Sequence, residues 1–246
     1  NHIDLAAAES KGIQVSNTPD VLTEDTADLT MALIAITCRR LGEGERMIRA
    51  NSWTGWTPTQ LMGLRISGKR LGIIGMGRIG EAVARRARGF GMSIHYYNRR
   101  RRPHYLENEI AAQYCESLDK MLSEVDIVTI NTPYTESTAN ILNARRLNLI
   151  QPHGILINTA RGGLVDEVAL IECLKNKRIA GAGLDVYDGE PHVNPEFVKL
   201  ENVVLLPHLG SATVEGRIAM GERVIVNIKD FLSGREVPDR VFYKSR

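Results

Sequence analysis

The stretch KRLGIIGMGRIG, residues 69–80, is the most informative segment of this chain. It is a short apolar run that opens into the pattern G-x-G-x-x-G and continues as a helix-forming segment. In that context Gly75 permits a tight turn, Gly77 lets the backbone approach a pyrophosphate, and Gly80 lets helix and strand pack closely. The start of the helix offers free N–H groups to phosphate oxygens. We therefore predict a dinucleotide-binding loop, rather than a glycine-rich turn of another α/β protein, with ligand contacts at Gly75, Gly77, Arg78, Ile79 and Gly80.

A second apolar segment, residues 93–97, ends at Asn98 and is followed by four arginines. A site for NAD usually places an acidic side chain about 20 residues past the glycines, where it bonds the ribose 2′-hydroxyl. This chain has Asn98 in that place, and Arg99 and Arg100 behind it are forked cationic donors that suit a 2′-phosphate. We therefore predict a site that prefers NADP(H), with NAD(H) as the second choice. A solvated basic loop or a nucleic-acid patch is the competing interpretation.

Composition narrows the classes of protein to which the chain can belong. With 246 residues, of which 43% are hydrophobic, it can bury a core of one or two domains. A net charge of +2 gives no general argument for binding nucleic acid or membranes. The three cysteines form neither a zinc pattern nor a disulfide framework, so we expect no metal site and a cytoplasmic protein. No apolar run approaches the roughly 20 residues that span a bilayer.

From residue 69 onward, apolar segments alternate with segments of helical pattern. Strands are predicted at 71–74, 93–97, 126–130, 154–158, 179–184 and 203–206, after a first short strand at 13–15. Helices are predicted from Thr23 to about Leu41 and at 78–90, 117–123, 143–149, 166–176 and 212–232. Such apolar strands, separated by helices, indicate a parallel sheet covered on both faces. The fold class is therefore α/β, with a doubly wound parallel sheet of Rossmann type. Residues 42–68, which contain Trp53 and Trp56, are predicted to form an irregular arm.

Polar and glycine residues directly follow several of the predicted strands. In open parallel sheets, ligands bind beyond the carboxyl ends of the strands, so these residues converge on the edge where the dinucleotide would lie. The residues expected to contact the cofactor at this edge are Thr132, Pro133, Thr159, Ala160, Arg161, Asp185, His208 and Gly210.

Three of the side chains near this edge fit the chemistry of hydride transfer to a ketone. The carbonyl oxygen must gain a proton as hydride arrives, and histidine suits that task near neutral pH, which points to His208. A carboxylate beside a histidine holds it in one tautomer and raises the histidine pKa, and Glu190 supplies one. An arginine fork binds a substrate carboxylate, as Arg161 could. Each residue alone also fits an ordinary loop or surface position, but their joint occurrence favours a catalytic set in which Arg161 and His208 contact the substrate.

Six motifs along the chain resemble those of the D-isomer-specific 2-hydroxyacid dehydrogenase family, and combined with the Trp53-x-x-Trp56 arm and residues 98–100 they make the chain most similar to the glyoxylate/hydroxypyruvate reductase branch. They are NHID at 1–4, NTPDVLT at 17–23, NTARGGLVD at 158–166, GLDVY at 183–187, GEP at 189–191 and PHLGSAT at 207–213.

The resemblance implies a nucleotide-binding domain, residues 21–210, and a remnant of a split substrate domain, residues 1–20 and 211–246. Members of the family begin earlier, with a loop that binds the substrate carboxylate, so the resemblance implies a missing upstream portion. It also implies that Arg161, Glu190 and His208 are the family's catalytic set and that Asp185 lies near the nicotinamide carboxamide.

The function expected on these grounds is NADPH-dependent reduction of a small 2-keto acid to the 2-hydroxy acid. Alternatives are a relative acting on formate, phosphite or 3-phosphoglycerate, and a cofactor-sensing binding protein of corepressor type. We further expect a homodimer formed through residues 42–68, because a monomer would expose the two tryptophan rings. The resembling reductases use this arm for dimer contacts, and Trp56 is expected to reach the partner's substrate pocket.

Overall fold

The computed structural model describes residues 3–242, and a seven-stranded sheet organises most of them. Asn1 and His2, which begin the NHID motif, lie outside the described residues, as do residues 243–246. The strands are β1 Val15–Ser16, β2 Arg70–Ile74, β3 Ser93–Tyr97, β4 Ala112–Tyr114, β5 Ile127–Ile130, β6 Ile155–Asn158, β7 Gly181–Leu184, β8 Val203–Leu205 and β9 Arg240–Val241. The large sheet runs β4-β3-β2-β5-β6-β7-β8, and all its pairs are parallel. This order confirms the predicted doubly wound parallel sheet.

Helices alternate with these strands, and side-chain caps fix where several of them begin. Ser117, Asp166 and Thr213 each accept a backbone N–H from the first turn of the helix that follows, and so satisfy an otherwise orphaned donor. The helices are α1 Leu5–Ser10, α2 Thr23–Cys38, α3 Leu41–Arg49, α4 Arg78–Gly89, α5 His104–Ile110, α6 Leu118–Glu124, α7 Ala144–Leu147, α8 Glu167–Lys175, α9 Pro195–Val198 and α10 Val214–Leu232.

The large sheet is buried on both faces because successive side chains of a strand point in opposite directions. In β2, Ile73 packs into a cluster with α2, α4 and α5, whereas Ile74 packs into a second cluster with α6, α7 and α8. In β6, Ile157 and Leu156 divide between the two clusters in the same way. This double burial explains why the central strands read as nearly continuous apolar runs.

Contacts divide the chain into two compact units. One is Thr26–Gly210, which contains the large sheet. The described part of the other lies within Asn1–Asp25 and Ser211–Arg246. There β1 pairs antiparallel with β9, and Asn227 exchanges hydrogen bonds with the backbone N–H and the carboxylate of Asp239. The assignment of these units to nucleotide and substrate binding stays a prediction.

Some predicted elements differ from the observed ones. The predicted arm at 42–68 is wrong at its start, because α3 occupies Leu41–Arg49; two glycines in that helix weaken its sequence signal. Helix α2 ends at Cys38 because Arg40 takes a left-handed conformation, with φ 53°, between α2 and α3. Strand β4 was not predicted, since its residues are only partly buried at the sheet edge. The helix α5 before it was also missed.

Glu107 on α5 links the arginine-rich loop to the large sheet. Its carboxylate accepts a 2.6 Å hydrogen bond from the buried Tyr96 hydroxyl and pairs with the Arg101 guanidinium at 2.8 Å. The hydrogen bonds from Arg101, with that from Tyr96, lower the Glu107 pKa from its ordinary value of 4.5 to about 2. The ionised carboxylate is therefore the form that the fold favours.

We expect Glu107→Gln to lower the free energy of unfolding at pH 7 by about 1.5–3 kcal/mol, the value of hydrogen bonds to a charged group. A carboxyl group whose pKa is lowered in the fold stabilises it above the unfolded pKa and loses this effect as pH falls through the folded pKa. The difference between wild type and variant should therefore shrink between pH 4.5 and 2. Urea unfolding across that range measures it, and a constant difference would contradict the assignment.

Candidate active site

The three glycines of the loop after β2 have distinct local surroundings. Gly75 has φ +100°, and a Cβ there would lie 2.7 Å from the Asn131 carbonyl oxygen, so only glycine fits this turn. A methyl group on Gly80 would overlap the Gly75 carbonyl, which shows how closely α4 approaches the turn. Gly77 has no atom within 4 Å of its Cβ position, and no described side chain caps α4. The backbone beside Gly77 is thus open to a ligand, with helix N–H groups directed at it.

A cavity of about 920 Å³ lies beside this loop, where strand order reverses between β2 and β5. Such a switch point is where open parallel sheets bind nucleotides. The residues that line the cavity come from the ends of β2, β3 and β5 and from the loops beyond them: Ile74, Gly75, Met76, Gly77, Tyr97, Asn98, Arg99, Arg100, Arg101, Arg102, Asn131, Thr132, Pro133, Thr138 and Ile141. The glycine loop, Asn98 and the arginines are therefore brought together as the sequence predicts.

The four arginines at this cavity divide into two pairs. Arg101 pairs with Glu107, and Arg102 pairs with Glu81 of α4. Arg99 and Arg100 are exposed, and neither forms an ion pair with any residue within 3–242. The two arginines nearest the end of β3 are the ones whose charge is available to a ligand.

Asn98 occupies the position where an acid was expected, and its side chain has a structural task. Its Oδ1 accepts a 2.7 Å hydrogen bond from the backbone N–H of Met76, inside the glycine loop. The asparagine therefore holds the loop against the end of β3, while it also lines the cavity.

A buried amide fixes the loop that carries Arg161. Asn158, at the end of β6, is 1% exposed. Its Nδ2 donates to the Arg161 carbonyl at 2.9 Å, and its Oδ1 accepts from the Ala160 N–H at 3.1 Å. Beside it, the hydroxyls of Thr159 and Thr30 lie 2.8 Å apart. The Arg161 side chain itself is exposed.

Asp185 shapes the turn that carries His208. This carboxylate is fully buried, and it accepts the N–H groups of Leu209 at 2.7 Å and of Gly210 at 2.9 Å. Burial raises the Asp185 pKa, although these two hydrogen bonds favour the ionised form. The Asp185 carbonyl also accepts the N–H of His208, whose φ of 55° is unusual for a residue other than glycine. Thus three hydrogen bonds to one residue hold the histidine in a left-handed conformation.

His208 and Glu190 form a close pair between the loops after β7 and β8. The His208 Nδ1 and the Glu190 Oε2 lie 2.6 Å apart, and the Glu190 Oε1 accepts the N–H of Tyr187 at 2.9 Å. Burial acts to raise the Glu190 pKa, but the bonds from His208 and Tyr187, with the charges of His208 and Arg161, bring it below its ordinary value. Glu190 therefore holds the imidazole by Nδ1, and Nε2 is left for another partner.

The strength of this pair does not explain its presence. The side chains of His208 and Glu190 are 48% and 32% exposed, and exposed ion pairs contribute only about 0–1 kcal/mol to stability. By contrast, a positioned general acid accelerates proton transfer about 10²–10⁴-fold. A role in proton transfer therefore explains better than a role in stability why His208 is held at a positive φ and oriented by a carboxylate.

Trp56 is not among the residues that line this cavity, and it is 78% exposed. Its expected contact is with the substrate pocket of a partner subunit, and that contact stays a prediction. Sequence reasoning missed Asn158, Thr26 and Thr30; the Thr26 hydroxyl donates to the Gly210 carbonyl and so braces the histidine turn from α2. Asn158 was detectable as a polar residue that ends a buried apolar run.

The residues present fit a nicotinamide dinucleotide. The open backbone at Gly77 suits a pyrophosphate, and a cavity of about 920 Å³ has the volume of a cofactor site. Arg161, Glu190 and His208 follow β6, β7 and β8, at the same sheet edge where the glycine loop follows β2. In the part of the chain that the structure describes, no cluster of three or more His, Cys, Asp or Glu could hold a metal ion. None of the helices within residues 3–242 has the length and hydrophobicity of a membrane-spanning segment.

Comparisons with known proteins show similarity to one family over most of the chain. The sequence profile of the D-isomer specific 2-hydroxyacid dehydrogenase NAD binding domain matches residues 31–210. A glyoxylate reductase of Thermococcus litoralis is 46% identical over 245 residues, which are 98% of this chain and 73% of that protein. A glyoxylate/hydroxypyruvate reductase A of Arabidopsis thaliana is 44% identical over 96% of this chain and 73% of its own length.

A solved structure shares the fold as well. The crystal structure of an NADPH-dependent glyoxylate/hydroxypyruvate reductase from Sinorhizobium meliloti, in complex with NADP and malonate, superposes with a TM-score of 0.89. It is 40% identical, and the match covers 100% of this chain and 77% of that chain.

We expect Gly80→Ala to weaken NADPH binding about ten-fold or more, equivalent to about 1.4 kcal/mol, because the new methyl group displaces α4 from the Gly75 turn. Gly89→Ala, on the same helix, is the matched control, since nothing lies within 4 Å of its Cβ position. Titration of NADPH fluorescence measures both dissociation constants. Equal NADPH dissociation constants for the two variants would show that the close approach of α4 to the Gly75 turn is not needed for cofactor binding.

Proposed function

Because the chain belongs to the D-isomer specific 2-hydroxyacid dehydrogenase family and is an NAD(P)-dependent oxidoreductase, we propose that it reduces glyoxylate-type 2-keto acids with NADPH. The observation that carries this proposal is the His208–Glu190 pair, set on the same sheet edge as the glycine loop. A bound nicotinamide would supply the hydride that reduces the keto carbon. The chain's own residues bind the acid, deliver the proton and hold the geometry.

His208 delivers the proton. With the ionised Glu190 on Nδ1, the protonated imidazole presents its Nε2–H to the keto oxygen. As negative charge develops on that oxygen, the Nε2 proton moves to it and leaves a neutral imidazole that a solvent proton recharges. Because the Glu190 pKa lies below its ordinary value, the carboxylate stays ionised throughout the neutral range.

Arg161 binds the substrate. Arg161 lies in the loop after β6, and its positive charge contributes to the lowered pKa of Glu190. A guanidinium is always protonated and offers forked donors that match a carboxylate. Arg161 would therefore hold the keto acid's carboxylate and polarise the carbonyl beside it.

The preference for NADPH rests on Arg99 and Arg100. Both line the cavity next to Asn98, and their charges are not engaged by acids of the described chain, unlike those of Arg101 and Arg102. Because residue 98 is an asparagine, this position offers the ribose no carboxylate, and its Oδ1 already accepts the Met76 N–H. A phosphate on the 2′-oxygen would thus meet cations without an opposing acid.

The arm at 42–68 is proposed to form a homodimer interface. Trp53 is 53% exposed and Trp56 78% exposed, and Ile48 and Met62 are exposed nearby in sequence. Tryptophan is enriched in interface cores, so burial of these rings against a second copy would account for them. Trp56 would then reach the partner's substrate pocket.

Two further assignments complete the proposal. The unit Thr26–Gly210 binds the nucleotide, while the unit formed by Asn1–Asp25 and Ser211–Arg246 belongs to a substrate domain. The three cysteines are free thiols, which accords with a cytoplasmic location.

We expect His208→Ala to lower kcat for glyoxylate about 10²–10⁴-fold, the usual contribution of a general acid, while NADPH binding changes little. Steady-state assays with glyoxylate and hydroxypyruvate, beside NADPH fluorescence titration, test this. The Glu190→Gln variant should lose less, because it keeps an acceptor for Nδ1. Full activity of the His208→Ala variant would exclude the histidine from proton transfer.

We expect wild type to favour NADPH over NADH by ten-fold or more in kcat/KM, since a charge-assisted hydrogen bond contributes about 1.5–3 kcal/mol. Replacing both Arg99 and Arg100 by Ala should remove most of that preference. NADH, which lacks the 2′-phosphate, is the internal control, and its kcat/KM should stay within about three-fold of wild type. Equal loss with both cofactors would show that these arginines have another role.

We expect light scattering at micromolar concentration to give twice the chain mass of 27.3 kDa. Replacing Trp53 and Trp56 together by Asp should shift the equilibrium to monomer, because an interface hot spot contributes about 2 kcal/mol or more. Val198→Asp, at an exposed valine on α9, is the control that should remain dimeric. A wild-type monomer with full activity would refute the interface.

A further inference from the structure

The loop after β6 and the loop after β7 touch through their backbones at Gly162. A methyl group on Gly162 would overlap the carbonyl carbon and oxygen of Tyr187 and the nitrogen of Asp188. All three atoms belong to the main chain, so no side-chain rotation can make room. Gly162 directly follows Arg161, and it is buried. Its bare backbone is therefore what allows the Arg161 loop to lie against the residues that precede Glu190.

Tyr187 and Asp188, whose peptide bond contacts Gly162, also form hydrogen bonds with other parts of the site. The Tyr187 N–H donates to the Glu190 Oε1 at 2.9 Å, and the Tyr187 hydroxyl donates to the Leu206 carbonyl, two residues before His208, at 2.8 Å. From the other side, the Asp188 N–H donates to the Glu167 Oε1 of α8 at 2.7 Å. Burial raises the Tyr187 pKa to about 12, so its hydroxyl remains a donor at all working pH values.

We propose that Gly162 is a positioning residue, which sets the distance between the Arg161 guanidinium and the Glu190–His208 pair. It does so by close backbone contact with the Tyr187–Asp188 peptide. Glu167 binds the same peptide from the opposite side. This inference rests on the proposed function, because it concerns the groups that bind and protonate the keto acid. Gly162 itself touches no reacting atom.

The geometry of the substrate explains why the position of the Tyr187–Asp188 peptide affects the reaction. The substrate carboxylate and keto oxygen are joined rigidly, so Arg161 and His208 must stand a fixed distance apart to engage both. A misplacement of about 1 Å can cost about 10²-fold in rate. A methyl group between the two loops requires a backbone shift of that order, because the present separation leaves no space for it.

Gly163→Ala is a matched control on the neighbouring residue. Its Cβ would lie 2.8 Å from Cε2 of the Tyr134 ring. That ring is 41% exposed and can swing aside, so no main-chain shift is needed. Both glycines lie in the same short turn, Gly162–Leu164, and both variants add one methyl group.

The experiment compares Gly162→Ala with Gly163→Ala in kcat and KM for glyoxylate, NADPH dissociation constant and urea midpoint. We expect Gly162→Ala to lower kcat/KM about 10–100-fold, with a raised KM, while its NADPH dissociation constant stays within two-fold of the control. The same pair is then made in an Arg161→Lys background. If Gly162 acts through Arg161, its substitution should cost less than three-fold there, whereas a merely structural defect would be additive.

A second pair of variants serves if Gly162→Ala does not fold. Glu167→Ala removes the acceptor of the Asp188 N–H, while Glu167→Gln keeps an acceptor oxygen. We expect the Ala variant to lose three-fold or more in kcat/KM and the Gln variant to recover most of it. Suppose that wild type reduces glyoxylate and His208→Ala does not, but Gly162→Ala matches Gly163→Ala and Glu167→Ala matches Glu167→Gln. The positioning role is then wrong, and the proposed function stands. If His208→Ala is fully active, the proposed function itself fails.

Discussion

Parallel pairing of the strands determines where the loops of the candidate site emerge from the sheet. Because β2, β5, β6, β7 and β8 run in one direction, every loop after their carboxyl ends emerges at one edge of the sheet. Residues far apart in sequence, from Gly75 to His208, therefore follow strands that end at a common edge. Two apolar clusters, one on each face, pack against the strands and hold them in register beneath this edge.

Local polar groups then direct each loop from that edge. The amide of Asn158 and the carboxylate of Asp185 are buried at the ends of neighbouring strands. Backbone groups of its own loop satisfy Asn158, and two N–H groups of the loop after β8 satisfy Asp185. Burial of an unpaired polar group costs about 1–3 kcal/mol, so these hydrogen bonds strongly favour one loop conformation over others. Those conformations present Arg161 and His208, whose own exposed contacts contribute little to stability.

Much of the fold was predictable from the sequence, because the pattern of buried strands is dictated by two-sided burial. All six strands predicted between residues 69 and 206 occur within two residues of their observed bounds. Strand β4 and helix α3 escaped prediction for opposite reasons, since β4 lies at a half-buried edge and α3 contains Gly42 and Gly44. The edge position of β4 depends on the order of the strands in the sheet, whereas the two glycines weaken the helical pattern of α3 itself.

The candidate site was predictable in residue type but not in geometry. Motif order and chemistry indicated Arg161, Glu190 and His208, yet nothing in the pattern showed that Asp185 would turn both oxygens toward the histidine loop. The task of Asn98 was equally hidden, because its bond to the Met76 N–H depends on how β3 ends beside the glycine loop. Such contacts arise from strand register, which the sequence does not state.

We propose that this sheet edge performs hydride reduction and does more than bind a dinucleotide. The most direct measurement follows NADPH oxidation in the presence of glyoxylate by absorbance while NMR quantifies the glycolate formed. We expect repeated turnover, with one glycolate formed for each NADPH consumed. Tight binding of NADPH without formation of glycolate, or of the 2-hydroxy acid from hydroxypyruvate, would contradict it and would favour a protein that only senses the cofactor.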